Sequence, residues 1–458
     1  MRPDRGLTAL IAGLWLASLP AVAVARTFRV SAAAGAAQAA IAAASAGDTV
    51  LLLAGSHAGP LDVERAVVVR GEPGASVDGP GQRSVVRVRS AGVTLEDLTV
   101  RRSGRRVLTV DAGVHVVNAP DVTLRRVRLE DVLYGIYAER SDRLAVRQCV
   151  LRGRVRPMDE SGEGNGIHLW TSANASIVDT EASRFADGIY LSFAHQAHVE
   201  GGRYHDNGRY GLHTMYCQST RLEGNVFERN VAGIAIMFSN GLDVTRNRIV
   251  RNRGPRTYGL LLRDCSNGRF TGNQLVDNTV ALFLDGSNRN RFEGNLVQDN
   301  GWGVLMFASC ARNVFTRNDF LANDFPVAVD MRRTDNAFDD GRRGNHWSEA
   351  HAWDLDGDGV GDAPHGPVTA FSFVSKQYPD LATLANSPAV AVLGVAERVF
   401  PALSPSTLVD RFPLVSPSGG RIATRTGERE PRAWGHVAAF AGLWLGAIAA
   451  VSAARRQA

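Results

Sequence analysis

Lysine is almost missing from this sequence of 458 residues. Lys376 is the only one, so the net charge of +5 rests on arginine. The arginines are scattered and never massed in a run. That excludes the usual nucleic-acid-binding stripe, and we expect no nucleic-acid partner. Cysteine is scarce too. Cys149, Cys217, Cys265 and Cys310 have no CxxC spacing, which argues against a zinc or redox motif. There is no glycine-rich phosphate loop, so any nucleotide chemistry belongs elsewhere. No long helical pattern separates the strand-like runs, which argues against βαβ units. Nor is there a column of carboxylates with an obvious base. Asp187, Asp206, Asp264 and Asp285 are dispersed. Cleaving or epimerising an acidic polysaccharide requires acid and base groups clustered on one face. The expectation is a protein that is not an enzyme.

Long apolar stretches occur only near the two ends. Residues 1–25 read as a secretory signal: Arg2 and Arg5, the apolar Leu7–Leu19, then small residues through Ala25. The simplest destination is a bacterial periplasm. Residues 433–454 are apolar and about long enough to span a bilayer. Val437, Phe440, Leu443, Ile448 and Val451 favour one face, so a helix lying on the membrane surface rivals a span. Arginines flank both ends and do not decide between the two. Membrane contact through this helix is expected.

What the chain has in abundance is a repeated phrase: a small residue, an apolar, a variable and an apolar residue. It stands at Gly113, Gly135, Gly166, Gly188, Gly211, Gly233, Gly259, Ala281 and Gly303, in steps of 22, 31, 22, 23, 22, 26, 22 and 22 residues. Each repeat holds a second short strand about nine residues after the glycine, then a turn and a third. Three short strands per coil, with Gly and Asn at the turns, predict a right-handed parallel β-helix, an all-β solenoid. Asn recurring at one corner can stack into a hydrogen-bonded ladder. The Ala-rich 36–44 stretch should be a helix that caps the open first coil. The predicted order is signal 1–25, cap 26–60, β-helix 61–340, an acidic loop and irregular region 341–415, linker 416–432 and apolar helix 433–454. Two coils carry insertions, Arg154–Gly164 and one near Gly254-Pro255-Arg256; the first should protrude as a polar loop.

The variable slot of the phrase holds His115, Tyr137, His168, Tyr190 and His213 in consecutive coils. Equal positions stack about 4.8 Å apart, and the apolar neighbours point inward. These rings should therefore form an outward ladder. Stacked packing on an exposed face is one reading; metal or partner contact is the other. Two residues after His213 stands Met215, with Met237 one coil later. His213, Met215 and Met237 form a set suited to Cu(I), since imidazole and thioether are soft ligands; His168 is a further candidate, but it stands two coils from His213 and shares an ion only with help from Tyr190 or a loop. Cys217 lies near Met215, yet it falls in a column of small residues and can be packing alone. His195, His198 and His205 lie on nearby faces. The partner surface is expected at His115, Tyr137 and Tyr190, with Arg154 and Arg156 of the first insertion.

A second candidate is Asp354-Leu355-Asp356-Gly357-Asp358-Gly359-Val360-Gly361-Asp362. Asp354, Asp356, Asp358 and Asp362 fall at positions 1, 3, 5 and 9, with glycine at 6, as in the first part of a calcium loop. His365 replaces the glutamate at position 12. The expected ion is Ca²⁺.

Gly166-Ile167-His168-Leu169-Trp170 and Gly211-Leu212-His213-Thr214-Met215-Tyr216, followed by Asn345-His346-Trp347 and the Trp353–Asp362 loop, resemble the periplasmic nitrous oxide reductase maturation proteins called NosD. The resemblance covers about residues 26–415. It implies a non-enzymatic role alongside an ABC-type permease and its ATPase, a copper chaperone and nitrous oxide reductase, with transient copper on the solenoid. The alternatives from the residues themselves are a polysaccharide lyase or epimerase, or a passive binding scaffold.

Overall fold

In a computed structural model the described residues are 25–418, apart from 332, 351, 379–380, 382–383, 385–386 and 401–407. The expected signal segment, all but its last residue, lies outside them. So do the apolar helix 433–454 and most of the linker. No helix among the described residues is long and apolar enough to cross a membrane.

The chain winds into a right-handed parallel β-helix. Three parallel sheets of 13, 12 and 13 strands run its length; twelve coils contribute one strand to each, and the end strands Thr27–Val30 and His346–Trp347 add one more to two of them. The 12-stranded sheet has the longest strands, mostly six residues, and is called here the long-strand sheet. It holds the repeated phrase. Ile167 and Leu169 are fully buried while His168 between them is only partly so. The same alternation recurs at Ile189 and Leu191 around Tyr190. One continuous core fills the axis from Val30 to Leu408. Each inward Leu, Ile or Val contributes roughly 1.5–3 kcal/mol by leaving water.

The phrase glycine is required by close approach. A Cβ on Gly166 would lie 2.5 Å from the Gly188 carbonyl oxygen, and one on Gly211 2.6 Å from that of Gly233. The left-handed corners fall elsewhere and mostly use larger residues, such as Arg126 (φ 53°), Asp179 (φ 50°) and Arg246 (φ 53°).

The asparagines form the ladder that their spacing suggests. Asn207, Asn230, Asn252, Asn278, Asn300 and Asn323 are buried in one column. Asn230 Oδ1 accepts from the Asn207 backbone and side chain at 3.1 Å, and Asn252 repeats this with Asn278 at 3.1 and 2.9 Å. A second column runs from Asn225 through Asn247, Asn273 and Asn295 to Asn318 and Asn345. Such ladders satisfy corner backbone groups that water cannot reach.

Helix α1 (Ala36–Ala43) covers the first coil with Ala37 and Ile41 buried. Gln38 closes the edge of strand Leu61–Val63: its amide donates to the Asp62 carbonyl at 3.2 Å and its Oε1 accepts from Asp62 N at 2.8 Å. Strands Thr27–Val30, Thr49–Leu52 and Gly55–Ala58 already belong to the sheets. These strands lie within residues 26–60, the segment expected to form the N-terminal cap. At the far end, strand His346–Trp347 extends a sheet beyond residue 340. The region expected to be irregular contains α2 (Ala370–Gln377) and α3 (Pro388–Val399). Thr369 and Ser372 form a capping box on α2, and Phe371 stacks on Phe325 of the final long strand at 5.4 Å.

Candidate functional site

The variable slot forms an unbroken ring ladder on the outer face of the long-strand sheet. His115 pairs with Tyr137, Tyr137 with His168, His168 with Tyr190 and Tyr190 with His213 in register. Ring centroids are 5.5, 4.4, 4.7 and 4.7 Å apart in that order. The ladder faces outward, but it is not freely exposed: Tyr137 is buried and the four other rings are partly so.

Val107, Val110 and Leu133 pack around Tyr137 and Tyr134. The Arg154–Gly164 insertion lies down along the solenoid corner and does not project. Val155 N donates to Arg184 O at 2.8 Å, Met158 N to Asn207 O at 3.2 Å, and Gly208 sits beneath Asp159. Polar backbone along this path finds partners on successive coils, which holds the loop flat. Arg154 is spent on an ion pair with Asp131, whereas Arg156 is exposed.

A second column, the residue before each phrase glycine, was not singled out from the sequence. Asn165, Asp187 and Tyr210 pair across the coils where the slot carries His and Tyr. Asp187 is fully buried, and Arg209 reaches both its oxygens at 3.2 Å. Its Oδ2 lies 3.4 Å from His213 Nδ1. Asn165 Nδ2 lies 3.1 Å from His168 Nδ1. The signal was available in the run Asn165, Asp187, Tyr210 ahead of three glycines.

Burial keeps His115 and His168 neutral. Burial pushes His168 down to about 4, with His213 adding to the effect against the pull of Asp187. Burial, with Arg87 and Arg89 nearby, takes His115 to about 4. Burial also raises Tyr137 to about 12, and moves Tyr190 and Tyr210 upward. Neutral imidazole is the metal-binding form.

Of the expected copper set, His213 and Met215 stand on one strand and Met237 on the next, where Met237 also packs against an apolar cluster around Ala235 and Leu261. Met215 and Met237 pair directly in register, and Met215 shares a face with His213 two residues away on the same strand. Tyr190 OH donates to Met215 Sδ at 3.2 Å. His213 Nε2 is buried without a hydrogen-bond partner. With Asp187 facing Nδ1, the other nitrogen keeps its lone pair for a ligand. His168 does not join them, because the Tyr190 ring stands between it and His213. Cys217 is buried on the inward side, its Sγ directed at the Leu191 and Met215 carbonyls, and burial pushes the thiol up to about 11. His205 is held by Asp206 and Glu181 at 2.6 and 3.1 Å on another sheet.

In the acidic loop, Asp354, Asp356 and Asp358 offer oxygens within 4.8 Å of one another. Asp362 is outside this group, as its Oδ2 accepts from Leu355 N at 2.7 Å and closes the turn instead. Among the described residues no other three His, Cys, Asp or Glu converge in this way.

The family model described as "Periplasmic copper-binding protein (NosD)" matches residues 153–352. A protein of Pseudomonas aeruginosa named "Probable ABC transporter binding protein NosD" is 30% identical over 381 residues, covering 80% of this chain and 87% of that one. Its namesake in Stutzerimonas stutzeri is 28% identical over 395 residues, covering 82% and 89%. Among solved structures, the A-module of the Azotobacter vinelandii mannuronan C-5 epimerase AlgE6 aligns with a TM-score of 0.51 at 18% identity, over 63% of this chain and 88% of its own. The Dettilon tailspike protein aligns with 0.51 at 14%, over 66% of each. At such identities these structures bear on the fold alone. The two sequence relatives extend over most of the solenoid and both its insertions, and on that extent the chain belongs to the NosD family.

Proposed function

We propose that this chain carries Cu(I) as cargo in the periplasm, at His213 with Met215 and Met237, during maturation of the copper centres of nitrous oxide reductase. The observation that carries the reading is the buried, unpartnered His213 Nε2 on the strand of Met215, which pairs in register with Met237 of the next coil. Asp187 behind Nδ1 raises the basicity of the imidazole, as outer carboxylates do for metal-binding histidines. Two soft sulfurs and one nitrogen select Cu(I) over harder ions. In this reading the chain works with an ABC-type permease, its ATPase and a copper chaperone. The partner meets the covered ladder at His115, Tyr137 and Tyr190, with exposed Arg156 at its edge. Asp354, Asp356 and Asp358 hold a Ca²⁺ ion that stiffens the distal loop.

The chain itself does no catalysis in this proposal. Asp187, Arg209 and Tyr190 supply the residue types of a polysaccharide acid–base site, which is the observation favouring an epimerase. Yet Asp187 is 1% exposed and clamped by Arg209, so it cannot reach a polymer C–H bond.

The test is anaerobic Cu(I) titration against a competing chelator. The purified chain should bind copper tightly, and His213→Ala with Met215→Ala should abolish that binding. Unchanged stoichiometric binding by the double variant sinks the site. Epimerisation or cleavage of alginate by the purified chain sinks the non-enzymatic reading. Copper-replete nitrous oxide reductase in a strain lacking this gene sinks the maturation role.

A further inference from the structure

The residue three places after the variable slot turns a corner in the left-handed region in every coil of the ladder: Asn118, Arg140, Thr171, Phe193, Tyr216 and Phe238, with φ from 47° to 55°. Backbone bonds keep these positions in step, with Arg140 N donating to Trp170 O, Thr171 N to Ser192 O and Phe193 N to Met215 O at 2.9–3.0 Å. An aromatic residue there is costly, since left-handed backbone disfavours bulky side chains. Three consecutive coils nonetheless carry one, and their rings are 45%, 43% and 40% exposed. Phe193 and Tyr216 stack at 4.9 Å and 11°, Tyr216 and Phe238 at 5.1 Å and 15°. Core packing does not account for rings left in water.

The column stops at Thr171. One coil further stands Arg140, its Nε tied to Asn118 Oδ1 at 2.7 Å. Between the Arg140 and Phe193 levels lies a cleft of about 690 Å³, lined by Arg140, Asp142, Trp170, Thr171, Phe193 and His195. Its height is two coil spacings, about 9.6 Å. A ring at the Thr171 level would lie about 4.8 Å from Phe193, within the range for aromatic stacking, with planar Arg140 one level further along the column. Trp170, 41% exposed, walls the cleft. His195 also lines the cleft, and its Nδ1 has no hydrogen-bond partner. Asp142 is already engaged, accepting from Ala173 N at 2.8 Å.

We propose that this cleft receives a tryptophan or tyrosine side chain from a partner protein, which completes the ring column at the Thr171 level. The occupant is planar because both of its neighbours in the column are. It is a protein side chain and not a polyanion, because the nearby cations are taken: Arg140 by Asn118 and Glu139, Arg143 by Asp121. A glycan fits poorly, since rings stacked on one another turn their edges outward and leave faces free only at the ends of the stack, with Phe193 the one that borders the cleft. The inference does not depend on the copper reading, which concerns other side chains.

The test is titration of the full chain with Ac-Gly-Trp-Gly-NH2, followed by saturation-transfer NMR, with Ac-Gly-Leu-Gly-NH2 and an alginate tetrasaccharide as comparison probes. The tryptophan peptide should bind at ~1 mM, at least about tenfold more tightly than the leucine peptide. Thr171→Phe should fill the slot and lower that affinity at least about tenfold. Phe193→Leu keeps an apolar side chain but removes the ring face, and should also weaken binding about tenfold. It serves as the decisive variant if Thr171→Phe fails to fold. Equal binding of both peptides, unchanged binding by Phe193→Leu, or tighter binding of the tetrasaccharide than of the tryptophan peptide overturns the proposal.

Discussion

The two halves of the long-strand sheet share a backbone and differ in what they present. From His115 to His213 the variable slot carries polar rings, with Asn165, Asp187 and Tyr210 in the neighbouring column. From Ala235 onward the same slot holds Leu261, Phe283 and Leu305. These pack with Ala232, Val280, Tyr258 and Trp302 into a separate apolar cluster on the outside of the solenoid. Strand pairing is parallel and in register throughout. The coil therefore places no demand on the slot, because its inward neighbours and the asparagine ladders supply the stability. Unpartnered slot atoms remain in the polar half, at His213 Nε2 and both His115 ring nitrogens. The later half has only apolar groups there and can do no more than pack.

The largest expected effect would break this contrast at its polar end. His213→Ala combined with Met215→Leu should lower Cu(I) affinity about 100-fold or more, a scale of ~2.7 kcal/mol. Leu261→Ala in the apolar half should leave it unchanged. Competition with a chromophoric Cu(I) chelator reads both.

Next comes the shared scaffold. Asn252→Ala strands the Asn230 backbone N–H that now donates to Asn252 Oδ1 at 2.9 Å, and should cost ~2 kcal/mol in urea unfolding. Ser141→Ala in the polar half removes the analogous hydroxyl, which accepts from Ala119 N at 3.1 Å, and should cost ~1 kcal/mol. Equal losses would mean that the two halves are held alike.

A third measurement uses pH. Unfolded histidine gains a proton near its ordinary value of 6.5, while folded His115 stays neutral until about 4. Stability is thus lost as pH falls through that window and is fully present above it. His115→Phe should flatten the acid limb of the unfolding free energy by ~1–3 kcal/mol between these values. A parallel curve would mean that burial does not hold His115 neutral.

The smallest effect concerns the distal loop. Asp356 is exposed, so Asp356→Asn should change stability by under ~0.5 kcal/mol without calcium. It should abolish any rise in melting temperature caused by millimolar Ca²⁺. A rise that survives the substitution places calcium elsewhere.

The solenoid was legible from residue spacing because a coil repeats its steric demands every 22 or so residues. The small residue avoids the next coil's carbonyl, the two apolar residues fill the core, and asparagine satisfies the corner. The candidate site was legible in part. Register put Met215 beside Met237, since equal repeat positions must stack. Two features were not readable. The first insertion was expected to project, because polarity marks a segment as solvent-facing without saying where it lies; hydrogen bonds to Arg184 and Asn207 lay it flat. The sheet membership of the end strands was the other, because end coils lack the full phrase and become visible only through pairing.

By itself the sequence determined the coil, its period, the outward parity of the ring ladder and the adjacency of the two methionines. All of these follow from the period-two alternation of a strand and the stacking of equal positions. The tertiary structure alone decided which polar atoms remain unpartnered. It turned Asp187 toward His213 Nδ1 and left Nε2 open. It also left a gap one ring deep at Thr171. Each of these depends on side-chain direction and on contacts between coils, which spacing along the chain does not encode.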